Sequence, residues 1–223
     1  MRISHKHKFV FLSKPKCAST SIRKALDPYS DVWSTDKNRH YHHHVPASLL
    51  KQHFERMGWN WNSYFKFISI RNPWDMLVSL YFYAKPDHRG IYWWETARAI
   101  RVSEDIVEKY PYNPNTRMPF KEWIKTGKSW DLKEVKFLDD LSTYTLPYYV
   151  FDDQNNFLVD YVIRVEHLEE DLDFVSSKLG LKLDSLKVNT SKHDHYSQYY
   201  DSESQAIVSE LFEYDINYGK YSF

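Results

Sequence analysis

The first 85 residues contain two short runs of apolar side chains, and each run is followed by a segment with helical spacing. Residues 8–13 (KFVFLS) are aromatic and β-branched and predict a buried strand, and residues 19–26 then place apolar side chains on one helical face. Residues 64–70 (YFKFISI) predict a second buried strand, and residues 74–84 predict a helix with Pro73 in its first turn. Two consecutive strand–loop–helix units predict an α/β fold, a parallel sheet flanked by helices.

The second half of the chain has a less regular pattern. Residues 90–141 carry scattered tryptophans among many charges and predict irregular helical structure. Residues 148–151 and 157–165 predict two strands that are joined by a turn. Residues 167–179 predict a helix, with Gly180 as its C-cap.

The last 22 residues predict a final helix and an aromatic tail. The pattern Ser202-x-x-Gln205 is typical of a capping box, and the helix it opens is expected to reach about residue 213. Residues 214–223 are aromatic enough to pack back on the body of the protein. No repeat, low-complexity tract or linker interrupts the chain, so we expect residues 1–223 to form a single domain.

The composition excludes several kinds of site. Thirty Lys and Arg residues balance thirty Asp and Glu residues, so the chain has no net positive charge that would attract nucleic acid or an anionic membrane. The five glycines are at least 32 positions apart, which excludes both the G-x-G-x-x-G dinucleotide loop and the G-x-x-x-x-G-K-[ST] Walker loop. The single cysteine, Cys17, excludes an intrachain disulfide and a zinc site built from several cysteines.

No segment of the sequence is typical of a membrane or secreted protein. No apolar stretch approaches the roughly 20 residues of a membrane span, and no signal-peptide pattern is present. One unpaired thiol also suits a reducing compartment. We therefore expect a cytoplasmic protein without a membrane span.

The segment between the first predicted strand and helix, residues 13–21 (SKPKCASTS), is rich in amino and hydroxyl groups. The N–H groups that begin a helix are unpaired, and with the helix dipole they favour a bound anion. One interpretation is a phosphate-binding loop, and the other is an ordinary turn with a solvated basic face. The strand–loop–helix context favours the phosphate loop. Seven basic residues precede the first acidic residue of the chain: Arg2, Lys6, Lys8, Lys14, Lys16, Arg23 and Lys24.

A second candidate phosphate site follows the second predicted strand. Arg71 ends this strand, Pro73 begins the next helix, and Ser79 lies about two turns along it. A planar guanidinium together with a hydroxyl group is a good receptor for a phosphate dianion. The alternative is a plain helix start at which Ser79 is merely exposed.

Residues 40–44 contain four histidines, just before a helix that Pro46 can begin. Three interpretations compete, and we rank a general base first, a solvated loop second and a metal site third. A histidine base has a pKa near neutrality without any shift. Either His42 or His44 would be the base, the sequence does not decide between them, and His43 is expected to point away.

Three motifs together resemble the PAPS-dependent sulfotransferases (PAPS is 3′-phosphoadenosine 5′-phosphosulfate). Residues 15–21 (PKCASTS) resemble the 5′-phosphosulfate loop, especially its glycine-free form in the heparan sulfate 2-O-sulfotransferases. The Arg71-to-Ser79 segment resembles the family's 3′-phosphate clamp, and residues 41–45 (YHHHV) resemble the Y-H-x-H-V segment of the 2-O-sulfotransferases. The resemblance implies a P-loop NTPase-like fold with a central parallel sheet.

The resemblance also implies roles for individual residues. Lys16 would stabilise the charge that develops on the departing 3′,5′-ADP, His44 or His42 would deprotonate the acceptor hydroxyl, and no metal would be needed. Residues 189–193 (NTSKH) resemble a late loop of the family that covers the nucleotide. Arg164 is expected to pair with an acidic residue rather than with the nucleotide. The expected PAPS-binding residues are Lys14, Pro15, Lys16, Cys17, Ala18, Ser19, Thr20, Ser21, Arg71, Ser79 and Lys192.

The acceptor is expected to be a hydroxyl group, on a carbohydrate or a small metabolite. Residues 85–145 have no counterpart that we align, and we expect them to form a helical insertion that shapes the acceptor site. Two other functions remain open at this stage. One is an ATP-dependent kinase, although the chain lacks the Lys-Ser/Thr end of a Walker loop. The other is a non-enzymatic phosphate- or metal-binding module.

Overall fold

A five-stranded sheet forms the centre of the protein, in the strand order β3-β1-β2-β4-β5. The structure is a computed structural model and describes residues 1–35, 39–83, 119–127, 140–183 and 193–223. Strands β2, β4 and β5 are mutually parallel, whereas β1 is antiparallel to both β2 and β3. The strands are β1 Arg2–Ser4, β2 Phe9–Leu12, β3 Val32–Trp33, β4 Phe65–Ile70 and β5 Tyr161–Arg164.

The parallel centre of the sheet confirms the predicted α/β fold. Both predicted buried strands are present as β2 and β4, paired in parallel with Leu12 opposite Ile68. The pattern did not predict β1 and β3, because a three-residue and a two-residue strand are too short to show periodicity. The sheet is therefore mixed, with an antiparallel edge on one side.

Helices connect the strands and cover the sheet. Helix α1 has the predicted bounds, Pro73 begins α3, and Gly180 caps α6 in the left-handed conformation with φ 63°. In the described ranges the helices are α1 Ser19–Leu26, α2 Ala47–Arg56, α3 Pro73–Tyr83, α4 Phe120–Lys125, α5 Leu146–Val150, α6 Leu168–Leu179, α7 Ser202–Leu211 and α8 Glu213–Gly219.

The strand predicted at residues 148–151 is wrong. These residues lie mostly in α5, and Pro147 lies in the first turn of this helix. The backbone N–H of Leu146, the first residue of α5, donates a hydrogen bond to Asp215 Oδ2 at 2.7 Å. Only one bridge, between Phe151 and Phe157, remains of the predicted hairpin. A tertiary contact that the local pattern does not contain therefore overrides the apolar strand-like run.

The capping box of α7 lies one position earlier than predicted. Asp201 is the N-cap, and its side chain accepts a hydrogen bond from the backbone N–H of Ser204 at 2.9 Å. The Ser204 hydroxyl in turn accepts a hydrogen bond from the backbone N–H of Asp201 at 3.0 Å. The helix ends at Leu211, and α8 continues the chain.

Both faces of the sheet are buried, which explains why β2 is apolar along its whole length and why β4 is apolar except at Lys66 and Ser69. Val10 and Leu12 pack on one face with residues of α2 and α5, whereas Phe9 and Phe11 pack on the other face with residues of α1 and α6. A third cluster joins α3, α4 and α7. None of the helices in the described part of the chain is long and apolar enough to cross a membrane.

Most of the predicted insertion at residues 85–145 lies outside the described residues. Its described part consists of residues 119–127, which contain α4, and residues 140–145, which contain the 3-10 turn Leu141–Tyr144. Phe120 and Trp123 on α4 are buried in the third core cluster. Residue Lys192 also lies outside the described ranges.

Candidate active site

Two of the predicted phosphate-binding segments lie at the same edge of the sheet. The parallel strands β2 and β4 end at Leu12 and Ile70, and each is followed at once by a candidate segment. In α/β folds ligands bind at the carboxyl ends of parallel strands. The Arg71 Nη1 atom donates a hydrogen bond to the Lys16 carbonyl oxygen at 3.4 Å, so the second motif contacts the first directly.

The loop between β2 and α1 has left-handed backbone at two residues that are not glycine. Lys16 has φ 60° and Ala18 has φ 54°, and Ala18 is also the N-cap of α1. Each such residue costs roughly 1–2 kcal/mol relative to ordinary backbone. Backbone of this kind turns successive N–H groups toward one side and forms anion-binding concavities. The loop therefore has the conformation of a phosphate loop without a glycine.

Three side chains hold the carbonyl groups of this loop. The Ser19 hydroxyl donates to the Lys14 carbonyl at 2.5 Å, and the Ser69 hydroxyl of β4 donates to the Cys17 carbonyl at 2.6 Å. The bond from Arg71 to the Lys16 carbonyl is the third. Because each bond fixes the orientation of one peptide group, the strained loop is held in a single conformation.

Lys16 and Arg71 place two positive charges close together. The pKa of Lys16 is lowered to about 8, first by burial and second by the charge of Arg71. Arg71 is itself oriented by Asp75, whose Oδ2 lies 2.8 Å from Nε and 2.6 Å from Nη2. An anion near both cations would favour the charged form of Lys16.

His44 contacts the beginning of the same loop. Its Nδ1 lies 2.7 Å from the Ser13 carbonyl oxygen, which can only accept a hydrogen bond. The proton of the neutral ring is therefore on Nδ1, and Nε2 is the acceptor atom. Burial above all lowers the pKa of His44 to about 3, the Ser13 hydrogen bond opposes this effect, and the charges of the N-terminus and of Arg23 add to it. His44 is thus neutral at physiological pH.

The two neighbouring histidines have the opposite tautomer. His42 Nδ1 accepts a hydrogen bond from the backbone N–H of His44 at 3.3 Å. His43 Nδ1 accepts from Arg23 Nη1 on α1 at 2.6 Å and also lies 2.6 Å from the Ser34 hydroxyl. His43 therefore contacts α1 and Ser34, whereas His44 contacts the loop. Among the described residues no group of three or more His, Cys, Asp or Glu side chains could hold a metal ion.

Comparison with known protein families identifies the class of protein. A family model described as "Sulfotransferase family" matches residues 1–222, almost the whole chain. The chain belongs to the sulfotransferase family. The comparisons with curated proteins and with solved structures found no match. The resemblance inferred from three short motifs is confirmed at the level of the family, and with it the assignment of the protein as a transferase of sulfuryl groups.

Two of the loop side chains in this sulfotransferase point into the core. The Lys14 ammonium is completely buried and lies 2.6 Å from Asp215 Oδ1. The Cys17 thiol is also completely buried, and burial raises its pKa to about 11. The predicted contribution of Cys17 to a ligand is therefore restricted to its backbone, and the Lys14 charge is neutralised within the protein.

The remaining predicted residues differ in exposure. Ser19 and Ser21 are buried in the first turn of α1, whereas Pro15 and Thr20 are partly exposed. Ser79 lies on α3 with only 3 % of its surface exposed. The structure thus brings the loop, Arg71 and His44 together by direct contacts.

The expectation for Arg164 is confirmed. Its Nη2 lies 2.9 Å from Asp171 Oδ1 and its Nε lies 3.2 Å from Asp171 Oδ2. The Asp171 carboxylate also accepts hydrogen bonds from the Arg164 backbone N–H at 2.7 Å and from the Tyr161 hydroxyl at 2.8 Å. Arg164 therefore links the end of β5 to α6.

Four residues of the site were missed by the sequence analysis: Arg23, Ser69, Asp75 and Asp215. The Asp75 contact has a sequence signal, because Asp75 follows Arg71 by four positions across the start of α3. The only sequence signal for Arg23 was its position in the predicted helix α1, and the only signal for Ser69 was its position in the predicted strand β4. Asp215 had none, since it lies 201 residues from its partner Lys14.

Proposed function

We propose that this sulfotransferase uses PAPS and transfers its sulfuryl group to a hydroxyl group, on a carbohydrate in the first instance. The observation that carries the proposal is the contact between Arg71 and the Lys16 carbonyl, because it joins the two phosphate motifs at one sheet edge. The donor has phosphate groups at both ends of its ribose, which calls for two such cationic segments.

The residues at this edge suit a nucleotide with two phosphate groups. The N–H groups of the strained loop and the first turn of α1 would hold the 5′-phosphosulfate, and Arg71 with Ser79 would hold the 3′-phosphate. The Ser13 hydroxyl at the end of β2 is buried without a hydrogen-bond partner among the described residues, which leaves one further polar group beside the loop. Lys192 remains a proposed contact.

His44 is the better candidate for the general base. PAPS supplies an activated sulfuryl group, and the chain has to remove a proton from the acceptor hydroxyl. The bond from Nδ1 to the Ser13 carbonyl makes Nε2 of His44 the atom that would accept that proton. Because burial holds the pKa of the ring at about 3, the negative charge of the bound donor has to raise this pKa for His44 to act as the base. The corresponding bond of His42 places its proton on Nε2, which is then a donor. The tautomers therefore favour His44 over His42.

Lys16 supplies positive charge next to the loop N–H groups. With a pKa of about 8 it is mostly protonated at neutral pH, and it can donate a proton or a hydrogen bond to a group that gains negative charge. Arg71 is the second cation beside the loop. The loop and these two cations would provide the stabilisation that a departing nucleotide requires.

A carbohydrate acceptor is favoured by the resemblance of residues 41–45 to the 2-O-sulfotransferase segment. His44, the proposed base, belongs to that segment, so the part of the chain that would meet the acceptor is the part that resembles carbohydrate enzymes. A hydroxyl group on a small metabolite is the second choice. We propose that residues 85–145 shape this acceptor site.

The proposal is tested by thermal shift and by activity. We expect 3′,5′-ADP to raise the melting temperature, and ATP–Mg²⁺ and Zn²⁺ to have no such effect. Lys16→Ala should abolish transfer from labelled PAPS to a panel of glycans and hydroxyl metabolites while leaving the fold intact. Arg71→Ala should mainly weaken 3′,5′-ADP binding.

The matched control is Lys178→Ala, which removes an exposed lysine of α6 and should leave binding and transfer unchanged. Stabilisation by ATP–Mg²⁺ but not by 3′,5′-ADP would instead indicate a kinase. Stabilisation by Zn²⁺ alone would indicate a metal-binding module. Full activity of Lys16→Ala would contradict the proposed role of that lysine.

A further inference from the structure

Lys14 is a charged residue enclosed in the core at the end of β2. Its Nζ lies 2.6 Å from Asp215 Oδ1 on α8, and both side chains are completely buried. Met76 Sδ is 3.7 Å away and the Phe212 ring centre is 5.8 Å away, and the charge of Glu166 also acts on the ammonium. The second carboxylate oxygen of Asp215 accepts the backbone N–H of Leu146 at 2.7 Å.

The stability of the protein does not by itself explain such a pair. Moving two charges out of water costs about as much as their mutual attraction returns, and apolar residues of similar volume are often at least as stable. Burial opposes the charged form of Lys14, but the pKa of Lys14 is nevertheless raised, above all by the charge of Asp215. Lys14 therefore stays charged, and the pair defines one relative position of β2 and α8.

The backbone on either side of Lys14 holds two groups of the proposed active site. The Ser13 carbonyl accepts the Nδ1–H group of His44 at 2.7 Å. The next carbonyl, that of Lys14 itself, accepts the Ser19 hydroxyl at 2.5 Å. A rotation of the Lys14 backbone would therefore alter both the orientation of the imidazole and the closure of the loop on α1.

We propose that Lys14 and Asp215 are positioning residues, whose buried ion pair holds the Ser13 and Lys14 carbonyls where they orient His44 and the phosphate loop. Lys14 then acts through its backbone neighbours and does not contact the sulfuryl donor. This inference rests on the proposed function for the roles of His44 and the loop. The contacts themselves do not depend on it.

The first test is the double variant Lys14→Met/Asp215→Leu, which replaces the ion pair by apolar side chains. We expect its melting temperature to be close to that of the unmodified protein, and its dissociation constant for 3′,5′-ADP by titration calorimetry to be at least about tenfold higher. The control is Lys66→Met, which removes a 2.8 Å ion pair with Asp160 near the opposite ends of the strands and should leave that constant unchanged.

The second readout needs no ligand. The His44 Nδ1 proton, held by the Ser13 carbonyl, should give a resolved NMR signal that His44→Asn removes and thereby assigns. We expect this signal to broaden or disappear in the double variant and to persist in Lys66→Met. If the double variant does not fold, Lys14→Met/Asp215→Asn replaces it, because it removes both charges and keeps an acceptor for the Leu146 N–H.

The inference is overturned if the folded variant binds 3′,5′-ADP as tightly as the unmodified protein and keeps the His44 signal. The proposed function fails in a different way: the unmodified protein would then neither bind 3′,5′-ADP nor transfer a sulfuryl group. In that case the His44 signal alone still decides whether Lys14 and Asp215 position the imidazole.

Discussion

Lys16 combines a strained backbone, a partly buried side chain and a neighbouring cation. Its φ of 60° costs free energy that an ordinary loop residue would avoid. Its pKa of about 8 reflects burial and the charge of Arg71, both of which disfavour the protonated amine. Unfavourable features of this kind accumulate where a protein is built to bind a ligand, and an anion relieves the electrostatic part of the cost.

The lowered pKa predicts how 3′,5′-ADP binding depends on pH. A bound phosphate favours the protonated amine, so binding requires the protonated form and weakens as the pH rises above the free-state value of about 8. The loss approaches tenfold per pH unit, and below pH 8 the affinity should be nearly constant until the phosphates themselves titrate near pH 6. Titration calorimetry between about pH 7 and pH 9.5 measures this profile.

Lys16→Arg is the control for this prediction. A guanidinium remains protonated throughout the range, so the variant should lose the steep dependence even if its affinity is lower overall. An equally steep loss in Lys16→Arg would mean that another group titrates. A flat profile in the unmodified protein would show that the Lys16 charge does not contribute to binding.

At the scale of single elements, the loop and α1 form one structural unit, which is the proposed anion site. Ala18 is both the second left-handed residue of the loop and the N-cap of the helix, and it makes no side-chain capping bond. The sequence provides alanine where a glycine would adopt the same conformation without a steric cost. The conformation is retained because Ser69 holds the adjacent Cys17 carbonyl, while Ser19 holds the Lys14 carbonyl at the start of the loop.

Ala18→Gly should therefore stabilise the protein. Removing the Cβ relieves about 1–2 kcal/mol of left-handed strain in the folded protein. Glycine also has greater conformational freedom in the unfolded chain, which offsets about half of this effect. We therefore expect the free energy of unfolding to rise by about 0.5–1 kcal/mol. Urea unfolding measures it. The matched control is Ala25→Gly in the interior of α1, where right-handed backbone predicts a loss of about 1 kcal/mol. A lower free energy of unfolding in both variants would contradict the inference that Ala18 is strained.

At the scale of the whole molecule, the last residues connect separate parts of the core. Tyr221 packs against two of the three core clusters, and the Ser222 carbonyl accepts a hydrogen bond from Asn72 Nδ2 at 3.2 Å. The Phe223 ring centre lies 5.5 Å from that of Trp74, which belongs to the Arg71-to-Ser79 segment. The aromatic tail therefore packs on the body, as predicted, and it does so beside the candidate site.

Gly219→Ala should disturb this arrangement. A Cβ at this position would overlap the Tyr221 ring, so the ring has to move out of the contacts that it makes in both clusters. Overpacking of this kind costs typically about 1–3 kcal/mol, which thermal unfolding would show as a lower melting temperature. Ser222→Ala, an exposed change in the same segment, serves as the control and should have no measurable effect. Unchanged stability of Gly219→Ala would mean that the tail accommodates the methyl group.

The segments that sequence analysis identified are those whose signal is local. The loop after β2, the Arg71 motif and the bounds of α1 each depend on neighbours within a few residues, and all three are found in place. The strand predicted at residues 148–151 failed for the opposite reason. Its helical conformation involves a bond from Leu146 to Asp215, which lies 69 residues away.

By itself, the sequence determined the family, the two strand–loop–helix units at the centre of the fold and the chemical character of the candidate site, because apolar periodicity and short motifs act over a few residues. Only the tertiary structure decided what each charged or titratable group does there. It placed the Lys14 ammonium against Asp215, left Lys16 beside Arg71, and gave His44 and His42 opposite tautomers through their backbone hydrogen bonds. Those outcomes depend on contacts between distant residues and on burial, which local patterns do not contain.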